Sequence, residues 1–159
     1  MAWHDPLTPV NIMTSAELLA SDLLSTSTMT LATTGVNGET HAAPVYFVAD
    51  ESLQLYFFSD PESQHAQDIT NHPVAAVAFY PECFSWEDIR GVQMRGEVYL
   101  VEPGTDWERA WLLYQSKFPF VSALKEIVAQ NAMYVFTPGW IRLVDNQRGF
   151  GYKQEWTRP

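Results

Sequence analysis

From Thr28 to Val101 the chain offers five successive strand-like segments divided by turn signals, which points to an antiparallel sheet. Thr28–Thr34 is rich in threonine and carries Met29, Leu31 and Ala32. Residues 42–49 and 53–59 follow, divided by the polar turn Asp50-Glu51-Ser52. Residues 74–80 are apolar on both faces, so they predict a central strand. Residues 89–101 form a long strand candidate with Gly91 and Gly96 inside it. Glycines there predict the bulge or bend that a small barrel needs to close. Asn37-Gly38 is a strong hairpin signal, because both residues tolerate positive φ. Residues 132–144, bent at Pro138-Gly139, supply a sixth strand.

Helical signals lie before and between these strands. Thr14-Ser15-Ala16-Glu17 fits a capping box, and Leu18, Leu19, Leu23 and Leu24 give the helix after it an apolar stripe. Residues 62–71 read as a short helical piece ended by Asn71-His72-Pro73. Thr105-Asp106-Trp107-Glu108 reads as a second capping box, with a helix to about Phe118, an interruption at Pro119 and a resumption over 121–130. The expected fold is mainly β with helical insertions: a single domain built on a six-stranded antiparallel barrel. Its expected parts are an irregular arm (1–13), a helix (14–24), the barrel core (28–102), a helical insertion (105–130), a closing strand (132–144) and a loop-like tail (145–159).

Composition narrows the function classes. Nine Lys and Arg against nineteen Asp and Glu give a net charge of −10, and such a surface repels nucleic-acid backbones and anionic lipid. Neither nucleic acid nor membrane is expected as a partner. Cys83 stands alone, which excludes an internal disulfide and a Cys-only zinc site. With Pro81, Glu82 and Phe84 around it and no cation beside it, Cys83 reads as a small half-buried side chain. His41, His65 and His72 are too scattered for a metal-binding pair, so no metal is expected. No apolar run approaches the ~18 residues of a membrane span, and the first residues lack a secretory pattern. A soluble cytoplasmic domain is expected. Hydrolase-elbow, dinucleotide-binding and P-loop signatures are missing.

Chemistry concentrates in residues 53–80. A strand ends at Ser59 and Ser63 opens a helix, so two hydroxyls and the helix's first N–H groups make an anion cradle. Gln64 adds an amide donor and His65 a ring donor able to carry charge. On residues 89–98 the period of two puts Val92, Met94, Val98 and Leu100 on one face and Gln93, Arg95 and Glu97 on the other. Those polar groups either line a pocket or form the wet side of the strand. Arg90 falls on the apolar face, where a cation needs a partner or an exposed edge. Tyr46, Phe47, Tyr56, Phe57, Phe58, Phe79 and Tyr80 either stack on a flat ring or fill the barrel. Trp107, Trp111 and Tyr114 share one helical face, suited to core or subunit contact.

The ordered run "MTLATTGVNGETHAAPVYFVADESLQLYFFSDPESQHAQDITNHPVAAVAF", followed by "IRGVQMRGEVYLV", resembles the pyridoxamine 5′-phosphate oxidase-like FMN-binding split barrels. The resemblance spans roughly residues 28–102. It implies a homodimer with two FMN sites at the interface and redox chemistry on a small-molecule substrate. The family's phosphate-binding Ser-Arg-Lys triplet falls on Ser63-Gln64-His65, and its strand-end Ser or Thr falls on Ser59. Both permanent cations of the triplet are therefore replaced. The family's flavin-contacting Gln falls on Gly91, with Gln93 on the same strand as a substitute. The resemblance also implies backbone contacts to the flavin edge around Val45, Tyr46 and Phe47, and compensation for the lost cations from a protonated His65, from Arg90 or Arg95, or from Lys153 of a second chain. Each lost charge-assisted bond weakens phosphate binding by on the order of 1.5–3 kcal/mol. An FMN-dependent oxidoreductase is the leading expectation. The alternatives are a non-catalytic module for FMN, a deazaflavin or haem, and a barrel that serves only as an interaction dimer.

Overall fold

The computed structural model describes residues 14–158, so the expected arm over 1–13 lies outside the described residues. The first capping box forms as expected. The Thr14 hydroxyl accepts from Glu17 N at 3.2 Å, the Glu17 carboxylate accepts from Thr14 N at 2.7 Å, and α1 (Ser15–Ser25) follows. The strands are β1 (Thr28–Thr34), β2 (Thr40–Tyr46), β3 (Val48–Ala49), β4 (Leu55–Ser59), β5 (Val74–Phe79), β6 (Arg90–Leu100), β7 (Ala132–Asp145) and β8 (Lys153–Thr157). Between them lie α2 (Gln64–Asn71), α3 (Thr105–Lys117) and α4 (Lys125–Gln130). The strands form one curled antiparallel sheet, a split barrel, in the order β2-β1-β5-β6-β7-β4-β3 with β8 added on β7.

Eight strands replace the expected six, for two physical reasons. Residues 42–49 divide at Phe47, whose N–H donates to the Ser27 carbonyl; after it the chain leaves β1 and pairs with β4. The tail is not all loop: after Gly149 and Gly151, both at positive φ, residues Lys153–Thr157 return along β7. Smaller differences are also local. Gly104, not Thr105, stands at the N-cap of α3, with no side-chain cap. Residues 119–123 take a 3-10 form before α4 begins at Lys125. Of Asn37-Gly38 only Gly38 takes positive φ, at 82°. Cys83 is exposed rather than half-buried.

The expected bulge is present. Arg95 pairs with Trp140 but Gly96 with Pro138, which leaves Gly139 as the extra residue of β7. A β-carbon on Gly96 would collide with the backbone of Thr137, so only glycine fits this crossing. The bulge lets Tyr134 and Phe136 on one side of it, and Ile141 and Leu143 on the other, all face the interior. That interior is filled by Met29, Leu31, Phe47, Leu55, Phe57, Val77, Phe79 and Met94, so Phe47, Phe57 and Phe79 are core, whereas Tyr46 and Tyr80 are exposed. A second core lies outside the sheet, where Ala110 and Tyr114 of α3 and Phe118 just after it cover Tyr56, Met133 and Val48. Arg90 has the partner its position requires: Asp22 of α1, buried to 1% exposure, lies 3.0 Å from Arg90 Nη2. Burial pushes the Asp22 carboxyl up, and the Arg90 charge opposes that shift.

Candidate functional site

Alternation along β4 turns Leu55, Phe57 and Ser59 to one side, and the strand ends on Ser59. A tight turn follows, in which Ser63 N–H donates to the Asp60 carbonyl and Glu62 N–H to the Asp60 carboxylate. It returns the chain so that Ser63 caps α2, its hydroxyl accepting from Ala66 N at 3.4 Å. Ser59, Ser63 and His65 therefore meet at one point. The two hydroxyl oxygens are 3.2 Å apart, Ser63 Oγ is 3.2 Å from His65 Nε2, and His65 Nε2 also hydrogen-bonds Ser59 Oγ. Ser59 is buried and His65 half-buried. Burial pushes the imidazole below its ordinary range, and the nearby Asp68 charge only partly opposes it. The ring is thus neutral at neutral pH.

The next turn of α2 holds a residue that sequence reasoning passed over. Asp68, 2% exposed, accepts from the Thr33 hydroxyl of β1 at 2.7 Å and from the Gln64 amide at 2.8 Å, and pairs with His41 Nδ1 of β2 at 2.8 Å. Burial alone raises its carboxyl, but the Thr33, Gln64 and His41 bonds outweigh burial and hold it below the ordinary carboxylate range. Thr33 and His41 face each other in the β1–β2 register, so this carboxylate pins the helix across the barrel end. The signal was available in Gln64 and Asp68 at i, i+4 spacing, with Asp68 beside Ala66 and Ile69 on the buried stripe. One consequence is that the Gln64 amide faces Asp68 and makes no hydrogen bond to the serines.

The remaining predicted residues lie apart from this cluster. Val45 and Phe47 turn their side chains into the core. Tyr46 points outward, half-exposed, with its ring edge-on to Phe118 and Phe120 and its carbonyl accepting from Tyr114. Gln93 and Arg95 stand on the outer face of β6. There the Arg95 guanidinium lies 4.4 Å from the Trp140 ring centre and that of Arg142 lies 4.7 Å from it. Arg142 donates to Gln93 at 3.4 Å and to Glu155 of β8 at 2.7 Å. Among the described residues no hydrogen bond or ion pair joins Gln93 or Arg95 to Ser59, Ser63 or His65, and none of the described groups of His, Cys, Asp and Glu is placed to hold a metal. No helix of the described residues is long and apolar enough to cross a membrane.

A hollow of about 630 Å³ lies elsewhere, between α1, the turn 50–54 and α3, lined by Leu23, Leu53 and Leu113 with Asp50 and Arg109 at its polar side. Its walls are aliphatic and the Arg109 charge is shared between Asp50 and Asp106, at 3.8 and 3.4 Å. The donor-rich place in the fold is the Ser59–Ser63–His65 point.

Comparison with known proteins matches residues 16–145 to a family model described as pyridoxamine 5′-phosphate oxidase. "UPF0306 protein YhbP" of Escherichia coli (strain SMS-3-5 / SECEC) is 32% identical over 126 residues, 76% of this chain and 79% of that one. A pyridoxine/pyridoxamine 5′-phosphate oxidase of Burkholderia ambifaria is 36% identical over 83 residues, which are 52% of this chain and only 36% of that protein. Among solved structures, a haem-binding protein from Mycobacterium smegmatis superposes with a TM-score of 0.75 at 20% identity, covering 93% of this chain and 60% of that one. At that identity the likeness concerns the fold.

Proposed function

The chain belongs to the pyridoxamine 5′-phosphate oxidase family, and on that premise we propose that it is a split-barrel flavoprotein that holds FMN by its phosphate at the start of α2 and serves redox chemistry on a small molecule. The observation that carries this reading is the meeting of Ser59, Ser63 and His65 within 3.2 Å at the N-terminus of a helix. The donor set fits a phosphoryl group. Both hydroxyls can turn to donate, the ring nitrogen can carry a proton, and helix geometry leaves first-turn N–H groups beyond the one Ser63 caps. Gln64 acts one step back, its amide donating to the Asp68 carboxylate.

FMN when bound supplies hydride or electron transfer; the protein supplies binding, orientation and shielding. β2 is an edge strand that ends at Tyr46, whose carbonyl Tyr114 holds, so the Val45–Phe47 stretch can meet a flat ligand edge. Gln93 and Arg95 lie on an outer face that α3 leaves bare, and this face is proposed as the surface on which a second chain completes the site as a homodimer. Oxidation of pyridoxamine 5′-phosphate itself is not part of the proposal, because the triplet's two cations are replaced by Gln64 and His65.

A module for another flat cofactor, haem above all, is the second reading. The absence of the triplet's two cations motivates it, as does the likeness in fold to a haem-binding protein. An absorption spectrum of the purified protein separates the two, showing either flavin bands or the Soret band of haem. The direct test is a fluorescence titration of FMN against the wild type and the Ser59→Ala/Ser63→Ala double variant. Loss of at least about tenfold in affinity is expected, since two phosphate bonds go. Unchanged affinity in the double variant, or no binding to the wild type, overturns the proposal.

A further inference from the structure

We infer that His65 makes this site proton-coupled: when a phosphate group enters between Ser59 and Ser63, the imidazole takes up a proton from solvent and supplies a positive charge that no lysine or arginine among the described residues of the chain brings to this point. This deepens the FMN reading and rests on it. The geometry sets the polarity. In the free chain His65 Nε2 touches two hydroxyls, each able to donate to it, so the neutral ring is satisfied as an acceptor. A phosphate is an acceptor, so its arrival turns both hydroxyls toward itself. Nε2 is then left beside an anion and must carry an N–H; a shift of the ring's one proton from Nδ1 would supply the bond without the charge, whereas the doubly negative group is met best by the protonated ring, which supplies both.

The charges around the ring leave this role to the proton. On its own helix Asp68 faces it, but Thr33, Gln64 and His41 take up that carboxylate, so it does not hold a proton on His65 in the free chain. β4 and the turn before α2 bring only the hydroxyls of Ser59 and Ser63, and β2 brings His41 on the far side of Asp68. Asp60 is exposed in the turn and acts on Tyr134 of β7. Among the described residues Lys and Arg make no hydrogen bond or ion pair with the three-residue point. Burial lowers the free ring's hold on a proton, so a ring that is charged in the bound state has taken that proton up on binding. A site with two permanent cations would bind the same phosphate without any uptake.

Affinity then falls as pH rises, by up to about tenfold per pH unit at the limit of one whole proton, between the pKa of the free ring and that of the bound ring. The test is calorimetry of FMN binding to the full chain at about pH 7, where phosphate is largely dianionic, in two buffers of different ionisation enthalpy. The wild type is expected to take up more than about half a proton per FMN, and His65→Gln close to none, with weaker binding. Riboflavin, which lacks the phosphate, should show no uptake with either chain. FMN binding without proton uptake, or uptake that survives in His65→Gln, overturns the inference and leaves the FMN reading standing. No binding of FMN at all removes both. Should His65→Gln not fold, proton NMR of the wild-type ring decides between the same two outcomes: its titration moves to higher pH when FMN is added, or, against the inference, stays where it was.

Discussion

The outer surface of the barrel divides into two unlike halves. On one, α3 lays Trp107, Trp111 and Tyr114 against Phe58 of β4, with ring centres 5.1–6.4 Å apart and edge-on, and Tyr114 is buried. On the other, two neighbouring rows of outward residues are small on β2, β1 and β5 and end in a long polar side chain on β6. One row across β2, β1, β5 and β6 runs Ala42, Ala32, Ala76, Arg95, and the next runs Pro44, Thr30, Ala78, Gln93. The first half meets its cover with large side chains that interlock; the second is smooth, and no helix of the described residues lies over it. The contrast separates the half where this chain makes its own second core from the half proposed above as the surface for a second chain. Lys117 marks the covered half's far end: it lies over the Phe47 ring and donates to the carbonyls of Leu23 and Thr26 at the end of α1, and burial holds its ammonium down to about 8.

Breaking the covered half should cost most. Tyr114→Ala removes a buried ring and its bond to the Tyr46 carbonyl, and is expected to lower unfolding stability by about 3–5 kcal/mol in urea denaturation. A loss under about 1 kcal/mol would mean α3 is no core layer. Gly96→Ala strikes the bulge between the halves, pressing a β-carbon on the Thr137 backbone; about 2–3 kcal/mol is expected. Asp68→Asn tests the end plug, at about 1–2 kcal/mol near neutral pH. Its sign with pH follows from the lowered carboxyl. The ionised form is the stabilising one, so the contribution is full above the unfolded value of about 3.9 and is lost as pH falls through the folded one. The wild type should therefore lose more stability than Asp68→Asn on acidification below about pH 4. Ala76→Glu on the bare face should change the stability of the single chain by no more than about 0.5 kcal/mol. Light scattering of the same variant should show pairing of chains lost, and a pairing unaffected by Ala76→Glu would take the bare face out of the proposed interface.

Much of this contrast was legible in the sequence, and the exceptions have causes. Strand alternation sets the inside and outside of β1, β4 and β6 without reference to the rest of the chain, and Arg90 on an apolar face demands the acid that Asp22 supplies. β8 was not legible. Lys153–Thr157 is short and charged, and it becomes a strand because β7 offers a free edge and Arg142 pairs with Glu155. The meeting of Ser59, Ser63 and His65 was legible because strand end, turn and helix cap lie within seven residues. The partner of Gln64 was not legible. Its position in the triplet suggested a ligand-facing amide, while its partner Asp68 is fixed by β1 and β2, which only the tertiary fold brings near.

The proposed phosphate grip, where Gln64 and His65 stand in place of the family's two cations, is tested most directly by one ratio, the affinity for FMN over that for riboflavin, measured on the wild-type chain near neutral pH. Two hydroxyls and a proton-carrying imidazole predict FMN tighter by at least about tenfold. Equal affinities would contradict that account, because they would mean that the start of α2 does not touch the phosphate.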